Sequence, residues 1–124
     1  MKKHALVVDD SRTAAAALSE MLRLLDFEVI ASINPTDALK KLSEHNFDVV
    51  FMDVNMPGVT GLEVTSFMRR EPGLSQVPVI VVSSESQPEQ VKDALKAGAL
   101  AFITKPATFE SLEEALKKLG AEKH

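Results

Sequence analysis

Three carboxylates, one hydroxyl and one ammonium carry the chemistry this sequence offers. Asp9 and Asp10 follow one short apolar run, Asp53 ends another, Ser83 follows a third, and Lys105 comes just after a fourth. Carboxylates brought together repel one another unless a cation joins them. Oxygen-only ligands suit a hard divalent ion. Mg2+ keeps several waters and takes one or two carboxylates together with a phosphate oxygen. A Lys and a hydroxyl beside such an ion suit a phosphoryl group, whose transfer needs positioning and charge neutralisation more than covalent machinery. No Ser or His is set up as a nucleophile with its own base, and Cys is absent. Asp53 is itself a candidate nucleophile, because aspartyl phosphates are covalent intermediates.

Taken singly, each group has a plainer explanation. Asp9-Asp10 suits the start of a helix and its dipole. Asp53 suits an Asx turn and Ser83 a cap or turn, while Lys105-Pro106 suits a solvated loop. The conjunction is more telling, because four of five strand ends carry groups that one site would need.

The elements that position these groups alternate strictly. Apolar runs at 5–8, 27–31, 48–53, 79–82 and 100–103 read as strands. The first helix follows Ser11, a capping residue. Its Ala14, Ala17, Leu18, Met21, Leu22 and Leu25 share one face at helical spacing. Asn34-Pro35 reads as an N-cap with Pro at the first helical position. That second helix turns Ala38, Leu39 and Leu42 inward. A Pro- and Gly-marked loop over 54–61 leads to a short helix with Val64, Phe67 and Met68 on one side. Pro88 opens a fourth helix, with Val91, Ala94 and Leu95 inward and Gly98 at its end. The last helix carries Phe109, Leu112, Leu116 and Leu119. Five strands alternating with five helices specify an α/β fold, a parallel sheet covered on both faces. In such sheets ligands bind beyond the carboxyl ends of the strands, which is where the charged groups fall. After the second strand, Ser32-Ile33-Asn34 brings no charge.

With 124 residues the chain is the size of one domain, its core at about 5–119 and a short tail at 120–124. Without Cys there is neither a disulfide frame nor a thiolate metal site. His4, His45 and His124 are scattered and show no zinc-ligand spacing. The net charge of −4 argues against nucleic-acid binding and against attraction to anionic membranes. No apolar run approaches a membrane span or a signal peptide, and the expected location is the cytoplasm.

These residues resemble the receiver domain of two-component response regulators, the CheY-like family, over essentially the whole chain from Ala5 to Leu119. The resemblance is carried by Asp9-Asp10, by Met52-Asp53-Val54-Asn55-Met56-Pro57-Gly58 with Gly61, by Ser83, and by Lys105-Pro106 with Phe102 three residues before the Lys. It implies a doubly wound, flavodoxin-like sheet of strand order 2-1-3-4-5. It implies that Asp53 is the phosphoacceptor and that Mg2+, with Mn2+ able to substitute, is held by Asp10, Asp53 and the backbone carbonyl of Asn55. Asp9 would act on the ion through water. Lys105, joined to Pro106 by a cis peptide, would pair with a phosphoryl oxygen. Ser83 would donate to the phosphoryl group and Phe102 would be the rotating switch aromatic. Asn55 and Glu85 would flank the path of the attacking water and tune the lifetime.

The resemblance further implies a signalling switch rather than an enzyme with turnover on an outside substrate. The phosphoryl group would come from a sensor histidine kinase or a phosphotransfer protein. A downstream protein would dock on the fourth helix, fifth strand and fifth helix, near Gln90, Lys92, Lys96 and Thr104. Two positions depart from the family's commonest pattern. Ser83 stands for the more frequent Thr and lacks its β-branch, and Phe102 stands for Tyr and lacks the phenol. The alternatives are an Mg-dependent phosphohydrolase of haloacid dehalogenase type and an inactive scaffolding receiver. The hydrolase needs an acid two residues after its nucleophile, where this chain has Asn55. A nucleotide-binding domain is disfavoured, because neither glycine-rich phosphate motif occurs.

Overall fold

The computed structural model describes residues 2–122, with side chains described through Leu119. Its elements run β1 (Lys3–Val8), α1 (Arg12–Leu24), β2 (Phe27–Ser32), α2 (Pro35–Glu44), β3 (Val49–Asp53), α3 (Gly61–Arg70), β4 (Val79–Ser83), α4 (Pro88–Ala97), β5 (Ala101–Thr104) and α5 (Phe109–Glu122). The five strands form one parallel sheet in the order β2-β1-β3-β4-β5. The doubly wound fold is therefore as expected. In the 120–124 segment α5 continues through Glu122, and residues 123 and 124 lie outside the described ones.

Alternation along each strand sorts the core into two layers. Val7, Phe51, Ile80 and Ile103 pack with Leu18 and Leu22 of α1 and Leu112, Ala115 and Leu119 of α5. Leu6, Val50, Met52 and Val81 pack on the other side with Ala38 and Leu42 of α2, Val64 and Met68 of α3, and Ala94 of α4. Strands apolar on both faces fit only this sandwiched position.

The helix ends follow from their sequences. Ser11 Oγ accepts from Ala14 N, and Asn34 Oδ1 accepts from Asp37 N. At α3, Thr60 and Glu63 cap one another's backbone N–H groups reciprocally. Gly98 ends α4 in the left-handed region at φ 110°, where a side chain would be strained. Arg69 of α3 locks this corner: its guanidinium donates to the carbonyls of Gly98, Ser75 and Val77 at 3.1, 2.9 and 2.7 Å.

The buried stripes are narrower than the apolar stripes in the sequence. Leu95, expected to face inward, is exposed, and so are Ala17, Phe67 and Phe109 of the apolar sets on the other helices. Helical periodicity assigns a face but not the width of sheet beneath it. α4 covers the β5 edge and buries only Ala94 fully, and the buried contacts of α5 begin at Leu112.

Candidate functional site

Strand register builds the site. Val8 of β1 pairs with Met52 of β3, so Asp9 emerges beside Asp53. Asp53 pairs with Val82, and Ser83 with Thr104, which places Ser83 and Lys105 around the same rim. The turn into α3 closes tightly against this point. Gly61 N donates to Val54 O at 3.0 Å, and a Cβ on Gly61 would collide with the carbonyl of Asp53.

Asp9 and Asp53 are 5% and 4% exposed, unusual for carboxylates. The Lys105 ammonium lies between them, 2.8 Å from Asp9 Oδ2 and 3.0 Å from Asp53 Oδ1. Asp9 Oδ1 accepts from Ser11 N at 2.9 Å, so both Asp9 oxygens are engaged. Asp10 is exposed, and carboxylate oxygens of Asp9, Asp10 and Asp53 lie within 4.8 Å of one another. The Lys105–Pro106 peptide is cis.

One ammonium among three carboxylates leaves an excess of negative charge. Burial pushes the Asp53 carboxyl above its ordinary pKa; Lys105 opposes the rise, and the charges of Asp9 and Asp10 add to it. Burial works against the Lys105 ammonium, yet its bonds to Asp9 and Asp53 outweigh that and hold its pKa above the ordinary lysine value. A crowded all-oxygen set with surplus negative charge fits a hard divalent cation. Asp10, free of hydrogen bonds among the described residues, suits direct contact with it better than Asp9.

The remaining expected residues gather at the mouth. Ser83 is buried, and its Oγ accepts from Glu85 N at 3.1 Å. Asn55 Nδ2 donates to Glu85 Oε1 at 3.5 Å, bridging the loops after β3 and β4. Phe102 is half-buried, packed on the α2–α3–α4 side of the sheet. It borders a groove of about 380 Å³ between β5 and α5, with Thr104, Ser111 and Lys118. Gln90 of α4 holds a buried side-chain oxygen with no hydrogen-bond partner among the described residues.

Two features escaped the sequence. An apolar cavity of about 400 Å³ opens beside the site, lined by Ala17, Leu18, Met21, Pro106 and Ala107, with Asp9 and Lys105 at its border. The exposure of Ala17 among apolar neighbours belongs to this cavity. The β2 end is also not free of charge. Asp37, reaching over from α2, accepts from Ser32 Oγ at 2.8 Å and from Lys41 Nζ at 2.7 Å. The signal was present in the i,i+4 pair Asp37 and Lys41 just inside an Asn-Pro helix start.

The chain is 35% identical over 115 residues to the chemotaxis protein CheY of Pseudomonas aeruginosa, covering 92% of this chain and 93% of that one. It is 32% identical to a segment of hybrid signal transduction histidine kinase A of Dictyostelium discoideum, covering 96% of this chain but 6% of that protein. The solved structure of CheY4 from Vibrio cholerae superposes with a TM-score of 0.88 at 29% identity, covering 96% of this chain and 99% of that chain. The family model of the response regulator receiver domain matches residues 5–117, including every residue of the rim described above, and the chain belongs to that family.

Proposed function

We propose that the chain is a phosphorylation-dependent switch of two-component signalling that takes its phosphoryl group on Asp53. The observation that carries this reading is the buried Asp53 carboxylate, held at 3.0 Å by Lys105 inside a cluster with more negative than positive charge. Asp53 Oδ1 is engaged by Lys105, while Oδ2 accepts no hydrogen bond from the described residues. A carboxylate oxygen attacks the phosphorus of a phosphohistidine, the P–N bond breaks, and its electron pair returns to the imidazole. Lys105 then exchanges a carboxylate oxygen for a phosphoryl oxygen, and Ser83 Oγ donates to another.

Asp10, Asp53 and the Asn55 carbonyl would hold Mg2+, or Mn2+ in its place, with Asp9 acting through water. The bound ion supplies charge neutralisation for the phosphoryl oxygens. Asn55 and Glu85, bridged across the mouth, set access for water and so the lifetime of the acyl phosphate. Asn55 offers no proton for hydrolase chemistry.

The donor is a histidine kinase or phosphotransfer protein, and the apolar cavity beside Lys105 suits its approach. The downstream target is a protein on the α4–β5–α5 face, where Phe102 and the exposed Leu95 lie. A cytoplasmic location accords with this role, and no described helix is long and apolar enough to cross a membrane. Incubation with acetyl phosphate and Mg2+ tests the reading. Intact-mass analysis should show one added phosphoryl group, absent without Mg2+ and absent in Asp53→Ala. Equal labelling of Asp53→Ala overturns it.

A further inference from the structure

On the α2–α3 side, away from the β5 edge, the two helices leave an open groove of about 490 Å³. Leu39, Val59, Leu62 and Phe67 supply its apolar lining, with Glu63 and Arg70 at its rim. Val59 and Phe67 are 41% and 37% exposed, among the few large apolar side chains that the fold leaves in water. Scattered exposed apolar residues need no explanation, but two beside one groove suggest an occupant.

The charges name the occupant. Glu63, Phe67 and Arg70 lie at i, i+4 and i+7, so all three project from one face of α3. Glu63 and Arg70 stand two turns apart, about 10 Å along the axis, on either side of Phe67. Arg70 makes no ion pair among the described residues, and Glu63 uses only one oxygen, in its cap to Thr60 N. An acid and a base placed symmetrically about an aromatic form a self-complementary pattern. Two α3 helices crossing antiparallel at Ser66–Phe67 bring each Glu63 opposite the other copy's Arg70. An isologous contact of this kind closes on itself.

We propose that the α2–α3 groove is a self-association surface of this chain, each copy placing Phe67 in the other's groove and pairing Glu63 with the other's Arg70. This surface is separate from the α4–β5–α5 face and does not rest on the phosphoryl chemistry proposed above.

Sedimentation equilibrium up to about 1 mM, a weak affinity still within measurement, tests it. The average mass should rise from 13.5 kDa toward twice that value. Phe67→Ser should remain at the protomer mass, while Leu95→Ser on α4 should associate as the parent does. Arg70→Glu and Glu63→Arg should each fail alone, because like charges then face each other, and an equimolar mixture should recover the dimer. Circular dichroism confirms that each variant is folded, since Glu63→Arg also loses its cap. A single protomer mass for the parent at every concentration overturns the proposal. So do association that survives Phe67→Ser, masses that grow past the dimer, and a mixture that stays monomeric.

Discussion

At the carboxyl end of β2, Asp37 accepts from Lys41 Nζ and from Ser32 Oγ, and these bonds, that of Lys41 above all, draw its carboxyl below the ordinary value of 3.8. Across the neighbouring strand, Asp53 receives one ammonium that it shares with Asp9, and burial pushes its carboxyl above that same value. Both clusters pair an acid with a lysine at one end of the same sheet. The first is closed: one acid, one base, partly exposed, charges balanced. The second is open, with surplus carboxylate buried where pairing falls short. A fold tolerates an open cluster of that sort when something else completes it. The contrast separates a charge that stabilises structure from one that, on the function proposed above, is kept for chemistry.

The largest effect that would break the comparison is on phosphoryl transfer. Asp53→Ala should lose all labelling by acetyl phosphate, whereas Asp37→Ala should label as fully as the parent. A loss in Asp37→Ala, read by intact mass, would erase the distinction. Next comes the metal. Mg2+ at a hundredfold excess over Kd should raise stability by about 2.7 kcal/mol, read as a higher thermal midpoint. Asp10→Ala should abolish that gain, and Asp37→Ala should leave it intact.

A smaller effect appears without metal. A carboxyl whose pKa is raised by folding favours the fold while protonated and costs stability as pH rises through that pKa. Asp53→Asn should therefore raise the metal-free thermal midpoint at neutral pH and remove the response to Mg2+; a lowered midpoint would show that Asp53 is as well paired as Asp37. The smallest effect lies at Asp37, where the sign reverses. Its contribution is present above the ordinary value of 3.8 and is lost as pH falls through the depressed one. Asp37→Ala should cost about 1 kcal/mol in urea unfolding at neutral pH, and the difference from the parent should shrink in acid.

The open cluster was legible in the sequence because its members all end strands. Once five short apolar runs are ranked in order, Asp9, Asp10, Asp53, Ser83 and Lys105 fall on one rim by topology alone. Of the closed cluster only the i,i+4 pair Asp37 and Lys41 is legible; its reach to Ser32 is not, because no periodicity states the azimuth of α2 over β2. Pattern failed for the same reason at Phe67, Leu95 and Phe109, whose exposure depends on how far the sheet extends beneath each helix. The apolar cavity between α1 and the segment after Lys105 is likewise a matter of spacing between elements, which a linear sequence does not record.

Arg69 also bears on how long the protein lasts. Residues 71–78 join α3 to β4 without helix or strand of their own. Three of that segment's carbonyls, those of Leu74, Ser75 and Val77, are held by this one guanidinium. A protease cuts a segment that opens locally, and a segment pinned at three carbonyls cannot open without first releasing Arg69. Replacement of Arg69 by Leu should thus open a nicking site between Glu71 and Val77 in limited proteolysis while the sheet itself remains folded. The resistance of this connection to cleavage would then depend on one side chain of the preceding helix.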